Sequence, residues 1–133
     1  MATSLAHLCF VVPNLARAEK FYRDKLGLKH AFDFRNDEGR KFGVYLHVGG
    51  RSFIELFEGK VGKPAKGQSY QHLCLEVKNI KATVKRLRQR RVQVTDIKLG
   101  CDQSYQAWLG DPDGNRIELH QYTRKSWQAP HLR

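Results

Sequence analysis

A chain of 133 residues has room for one compact domain, or for two half-size modules sharing a core, and excludes a multidomain machine. Its formal charge of +11, from 24 Lys and Arg against 13 Asp and Glu, draws anionic partners without choosing among nucleic acid, acidic metabolites and plain solubility. No stretch reaches the roughly 18 to 20 apolar residues of a membrane span, the N-terminus lacks a signal-peptide layout, and three cysteines make no disulfide framework, so a cytoplasmic protein with reduced thiols and no membrane partner is expected.

Residues 5–12 are rich in β-formers, and Asn14 then suits the N-cap of a helix that ends at Leu26-Gly27, where glycine fits the left-handed C′ position. Three shorter β-type segments follow at about 30–35, 42–48 and 52–57, separated by Asn36-Asp37-Glu38-Gly39 and Gly49-Gly50-Arg51 turn chemistry. Residues 59–69, rich in Gly, Pro and Lys, read as a linker. A second β-rich run at 70–77 leads to a helix capped by Asn79, then to β-type segments at about 93–98, 104–109 and 115–121, with Asp111-Pro112-Asp113-Gly114 as the turn before the last. The tail, 123–133, has no periodicity. The predicted fold is α+β: two tandem βαβββ modules, 5–58 and 70–122, in a single domain spanning 1–133.

The modules are copies. Ala6-His7-Leu8-Cys9-Phe10-Val11-Val12-Pro13-Asn14 returns at an offset of 65 as Gln71-His72-Leu73-Cys74-Leu75-Glu76-Val77-Lys78-Asn79, and Phe53-Ile54-Glu55-Leu56 returns at an offset of 63 as Arg116-Ile117-Glu118-Leu119. Strand alternation puts His7 and Cys9 on the face opposite Leu8, Phe10 and Val12, and does the same for His72, Glu55 and Glu118 against their apolar neighbours. Four ionisable side chains thus fall on the faces the helices leave open. Any one of them alone reads as an ordinary strand histidine or solvated glutamate; the recurrence of both types at matching positions points instead to a shared partner. Two imidazoles and two carboxylates satisfy, and are satisfied by, one divalent transition metal, with Ni, Zn, Co, Fe and Mn all compatible. Cys9 and Cys74 on the same faces read as small buried thiols rather than soft ligands. His30, His47 and His120 are either neighbours of the ligands or surface residues. The basic segment 79–91 has Ile80, Val84 and Leu87 at core spacing and no aromatics to stack bases, so it reads as a solvated helix face and no nucleic-acid partner is expected.

The two His-Leu strands, Phe21-Tyr22 followed by Leu26-Gly27-Leu28, the Ile-Glu-Leu strand and Asp111-Pro112-Asp113-Gly114-Asn115-Arg116-Ile117-Glu118-Leu119 together resemble the vicinal oxygen chelate superfamily, the glyoxalase and bleomycin-resistance fold, over residues 5–122. The ligand order His7, Glu55, His72, Glu118 is similar to that of its glyoxalase I branch, related to lactoylglutathione lyase. That resemblance implies a divalent-metal-dependent lyase or isomerase acting through an enediolate-like intermediate on a small, oxygen-rich, anionic substrate, with Glu118 as the catalytic base and Glu55 second. Arg116, on the face of Glu118, is a candidate to hold a substrate carboxylate or phosphate, or else to pair with Glu118 or Glu55. Bacterial glyoxalase I proteins grip glutathione with an Arg and an Asn at the positions of Val11 and Gly59, which argues against a glutathione hemithioacetal here. The resemblance leaves two alternatives: a dioxygenase or fosfomycin-resistance-type transferase, and a non-catalytic protein that sequesters its ligand. It also implies a homodimer, with modules paired within a chain or between subunits.

Overall fold

The computed structural model describes residues 1–63 and 65–132; Pro64, in the expected linker, and Arg133, at the end of the expected tail, lie outside the described residues. Two compact units emerge, Met1–Lys66 and Gly67–Arg133.

The first unit runs β1 (His7–Val12), α1 (Leu15–Lys20), a π-helical turn (Phe21–Lys25), β2 (Lys29–Arg35), β3 (Lys41–Gly49) and β4 (Ser52–Glu58), with strand order β1-β4-β3-β2. Asn14 starts α1 by accepting the Arg17 N–H on its Oδ1 at 2.9 Å, and Gly27 at φ +78° turns the chain out of the helical run. The helix returns the chain so that β1 pairs with β4 in parallel, while β3 runs antiparallel to both β4 and β2. Leu15, Ala18 and Tyr22 on the helical segment meet Val12, Val44, Leu46, Ile54 and Leu56 from the sheet, all nearly or fully buried. Each large side chain among them contributes about 1.5–3 kcal/mol by leaving water.

Two extra residues re-aim β2 and the start of β3. The β2–β3 ladder passes from His30↔Leu46 to Phe32↔Tyr45, leaving Ala31 unmatched, and from Phe34↔Gly43 to Arg35↔Lys41, leaving Phe42 unmatched. These bulges turn His30, Asp33 and Lys41 to the helix side, where Lys41 Nζ reaches Glu19 Oε2 of α1 at 2.6 Å and Asp33 Oδ1 at 2.9 Å. Phe32, Phe34 and Phe42 turn to the side away from α1, where they stack with Tyr45 and Phe57.

The second unit repeats the order with β5 (Leu73–Glu76), α2 (Ile80–Gln89), β6 (Lys98–Leu99), β7 (Tyr105–Gly110) and β8 (Arg116–Gln121), strand order β5-β8-β7-β6. Asn79 caps α2 through Ala82 N–H at 2.9 Å, and Ile80, Val84 and Leu87 bury one stripe against β7 and β8. Asp111 closes the predicted turn by accepting the Asp113 and Asn115 N–H groups on Oδ1, both at 2.9 Å, with Gly114 at φ +82°.

The structure departs from the sequence reading at three places. The strand expected at 93–98 shrinks to Lys98–Leu99, because at Thr95 the side chain takes part of the ladder: Thr95 N–H donates to the Trp108 carbonyl, and Thr95 Oγ1, in place of a backbone carbonyl, accepts the Trp108 N–H, both at 2.9 Å. The strand expected at 70–77 begins at Leu73, so His72 precedes the first ladder pair. The tail, expected to be without structure, is anchored through Ser126, whose Oγ meets Ser104 Oγ at 2.7 Å and accepts the Thr123 N–H at 2.7 Å, and it ends in a 3₁₀ turn (Ala129–His131). No helix among the described residues is long and apolar enough to cross a membrane.

Candidate metal centre

In the first unit, parallel pairing sets Cys9 beside Glu55 and His7 beside Phe53, so His7 and Glu55 lie diagonally on the open face. His7 Nε2 stands 3.9 Å from Glu55 Oε1. The antiparallel ladder places Tyr45 across from Glu55, and its Oη lies 2.9 Å from His7 Nδ1. That contact leaves Nε2 as the nitrogen that faces Glu55.

The second unit reproduces this arrangement. Cys74 is beside Glu118 on the parallel side and Trp108 is across from it on the antiparallel side. His72 Nε2 is 3.0 Å from Glu118 Oε2, with its ring edge-on to Trp108 at a centroid distance of 4.7 Å. The other carboxylate oxygen of Glu118 meets His120 Nδ1 at 3.0 Å; His120 Nε2 in turn lies 3.7 Å from Asp102 Oδ2. Asp102 also accepts Gln128 Nε2–H at 2.7 Å and the Ser104 N–H at 3.1 Å, and these hydrogen bonds, that of Gln128 foremost, hold its carboxyl below the usual range. In both units the carboxylate is sheltered and the imidazole is open: Glu55 and Glu118 side chains are 15% and 12% exposed, His7 and His72 41% and 32%. A ligand arriving from solvent meets the rings first and the carboxylates behind them.

These pairs fit a divalent transition metal. An ion about 2.1 Å from one nitrogen and one oxygen holds them about 3.0 Å apart at an octahedral angle and about 3.4 Å apart at a tetrahedral one. The His72–Glu118 pair has the first of these separations already, and the His7–Glu55 pair reaches it by a side-chain shift of about 1 Å. The Tyr45 contact to the far nitrogen of His7 is the kind of outer hydrogen bond that orients a ligating imidazole.

The remaining candidates separate clearly. Arg116 lies over the Trp108 ring, its Cζ 4.5 Å from the centroid, which keeps the guanidinium edge available. Cys9 and Cys74, expected to be buried, are exposed residues because they sit on the sheet faces that no helix covers. Loss of water around the Cys74 sulfur, together with the Glu118 carboxylate beside it, still pushes that thiol up to about 12. Cys74, Glu118 and His120 have ligand atoms within 4.8 Å of one another. Of the three accessory histidines only His120 touches a candidate ligand; His30 pairs with Asp33 at 2.8 Å and His47 Nε2 reaches the Gly50 carbonyl at 3.0 Å. A second cluster, Glu19, His30 and Asp33, is already neutralised by Lys41.

Sequence reasoning missed Tyr45, Trp108 and Asp102. The first two had a signal: they are 63 residues apart, the same offset that relates Glu55 to Glu118. Asp102 had none, since its contact to His120 depends on how the tail docks.

Comparison with known proteins agrees with this architecture. Residues 4–119 match the family model described as Glyoxalase/Bleomycin resistance protein/Dioxygenase superfamily. The chain is 30% identical over 123 residues to a lactoylglutathione lyase from Haemophilus influenzae, covering 86% of this chain and 90% of that protein. It is 28% identical over 131 residues to the metallothiol transferase FosB of Staphylococcus epidermidis, covering 92% and 84%. Among solved structures, TnmS3, an antibiotic binding protein from Streptomyces sp. CB03234, superposes with a TM-score of 0.75 at 24% identity over 92% of this chain and 98% of that one, a likeness of fold. With the family model spanning nearly the whole chain and both modules showing its βαβββ order, the chain belongs to the Glyoxalase/Bleomycin resistance protein/Dioxygenase superfamily.

Proposed function

We propose that this protein is a divalent-metal-dependent lyase or isomerase of the glyoxalase type, in which His7, Glu55, His72 and Glu118 hold one ion of Ni, Zn, Co, Fe or Mn. The observation that carries this reading is the recurrence of one geometry: a half-exposed imidazole facing a sheltered carboxylate, on the open face of each sheet, backed by an aromatic ring. A bound ion would polarise substrate oxygens on two adjacent carbons and so acidify the C–H next to the carbonyl.

The rest falls to the protein. Glu118 moves the proton: its Oε2 faces His72, and its Oε1 is held by His120, which fixes the carboxylate plane. Glu55 is the second candidate base, less constrained because His7 Nε2 stands 3.9 Å away. Arg116, laid flat on Trp108, presents N–H groups to an anionic substrate group. Val11 and Gly59 supply no glutathione grip: a side chain at position 59 would begin 2.9 Å from Val11 Cγ1, so the spot is narrow as well as apolar. The substrate is accordingly a small oxygen-rich anion other than a glutathione hemithioacetal, and the assembly is a cytoplasmic homodimer.

A second reading rests on the looser His7–Glu55 separation. If Glu55 stays off the metal, the ligands reduce to two histidines and Glu118, the set of the dioxygenase and fosfomycin-resistance branches, and the relationship to a metallothiol transferase supports that possibility.

Elemental analysis of protein purified without chelators, beside a Glu55→Ala/His72→Ala double variant, is the first test. About one transition-metal ion per chain, lost in the variant, and metal-dependent exchange of the proton next to a carbonyl support the lyase. Retention of metal and activity by Glu55→Ala alone moves the assignment to the second reading. Protein that refuses all five ions removes both and leaves sequestration of a ligand.

A further inference from the structure

The chain carries an excess of eleven positive charges, yet on the open face of its first sheet β2 continues from Lys29, across from His47, into rings. The bulges at Ala31 and Phe42 have sent Lys41, Asp33 and His30 to the helix side and brought Phe32, Phe34 and Phe42 to this one. There the rings join. Phe32 stacks on Tyr45 at 4.9 Å and 25°, Phe34 meets Phe57 at 4.9 Å, and Phe42 stacks on Phe57 at 5.8 Å and 14°. Val11, beside Phe57 in the ladder, extends the surface.

This surface is built rather than left over. The Phe57 ring lies against Gly43, where an added Cβ would stand 2.5 Å from its Cδ1, so the missing side chain lets the ring lie flat on the sheet. Phe32 and Phe42 remain 46% and 37% exposed. An exposed aromatic cluster of this kind normally marks a binding surface. Its occupant follows from what it adjoins. Tyr45 belongs both to the stack and to the His7 contact at 2.9 Å, so the apolar surface runs without a break into the His7–Glu55 pair. A ligand suited to it has oxygens at one end and a flat apolar body at the other.

We propose that the open face of the first module is a stacking platform for an aromatic ring, and that the ligand class is an arene bearing two adjacent oxygens, such as an aromatic hydroxy acid or aryl keto acid. The placement of the oxygens rests on the metal-site reading above; the ring platform stands without it.

The test is calorimetric titration of the full chain, zinc-loaded and metal-free, with 1-hydroxy-2-naphthoate and with glycolate, which also offers a hydroxyl and a carboxylate and lacks the ring. The naphthoate binds at least about tenfold tighter than glycolate in both states, at one site per chain. Phe32→Ala and Phe34→Ala each weaken the naphthoate about three- to tenfold and leave glycolate unchanged. Phe32→Leu, which keeps the apolar volume, falls between wild type and Phe32→Ala and guards against loss of fold. Equal affinity for the two probes, or naphthoate binding indifferent to Phe32→Ala, overturns the proposal. Conversion of a dimer to a monomer by Phe32→Ala with unchanged naphthoate affinity overturns it too, and assigns the face to a second copy of the chain. A ring preference that survives in protein unable to hold zinc supports the platform while refuting the metal site, so the two readings fail separately.

Discussion

Removing one hydroxyl, Tyr45→Phe, isolates the hydrogen bond behind His7. The ring of Tyr45 stacks between Phe32 and Phe53, each at 4.9 Å, and phenylalanine keeps both contacts, so the fold loses little. What disappears is the 2.9 Å contact from Oη to His7 Nδ1. For Nε2 to ligate, Nδ1 carries the proton and donates it to Oη, which holds the ring in the ligating tautomer. Deleting such outer partners costs 10- to 100-fold in metal affinity in well-studied sites. Here the contact is exposed, where a neutral hydrogen bond is worth about 1 kcal/mol, so the lower end applies: about a tenfold weaker zinc affinity, near 1.4 kcal/mol. Competition against a chromogenic chelator measures it, with the urea midpoint as a control on folding. Trp108→Phe is the matched comparison, because Trp108 meets His72 by ring edge alone. It should change affinity less than twofold. Equal zinc affinity in wild type and Tyr45→Phe would refute the claim that His7 ligates through Nε2 with Tyr45 as its orienting partner.

Gly43→Ala places a methyl group 2.5 Å from Phe57 Cδ1 and 3.0 Å from the Leu56 carbonyl oxygen, so Phe57 must swing off the sheet; a loss of about 1–3 kcal/mol is expected in chemical denaturation. Asn79→Ala removes the acceptor of the Ala82 N–H and should cost about 1 kcal/mol, read from the same assay and from reduced helix content by circular dichroism. Asp33 is held down to about 2 by hydrogen bonds from His30 and Lys41, against an ordinary 3.8. Its folded pKa lies below its unfolded one, so its contribution is complete above about pH 4 and fades as pH falls through 2; with solvent screening it amounts to about 1 kcal/mol. The urea midpoints of wild type and Asp33→Asn should therefore differ at pH 6 and converge towards pH 2, and a gap that widens on acidification would contradict this assignment.

The duplicated plan was legible because it is written twice. The His-Leu-Cys strand, the asparagine cap and the Ile-Glu-Leu strand each recur, and alternation alone tells which side of β1 and β4 His7 and Glu55 occupy. Strands β2 and β3 were less legible for a definite reason. A single unmatched residue reverses the alternation after it, and nothing in Lys29–Arg35 or Lys41–Gly49 announces that Ala31 and Phe42 are the ones skipped. Val92-Gln93-Val94-Thr95 alternates as a strand should, but a threonine hydroxyl can serve the neighbouring backbone as well as a ladder does, and there it does so. Tyr45 and Trp108 escaped notice because repetition was sought in residue identity, whereas these two share a position and an aromatic character.

The bulges carry an implication for how such a chain diversifies. Adding one residue to β2 opposite Phe42 would restore one-to-one pairing there, turn Phe42 to the helix side and swing Lys41 from its place against Glu19 onto the face now paved with rings. One codon gained at the rim would thus set a cation at the end of an apolar ligand surface, while Val44, Leu46, Ile54 and Leu56 beneath it stayed in register. Selectivity in this scaffold can change by strand length, without a single substitution in the core that keeps it folded.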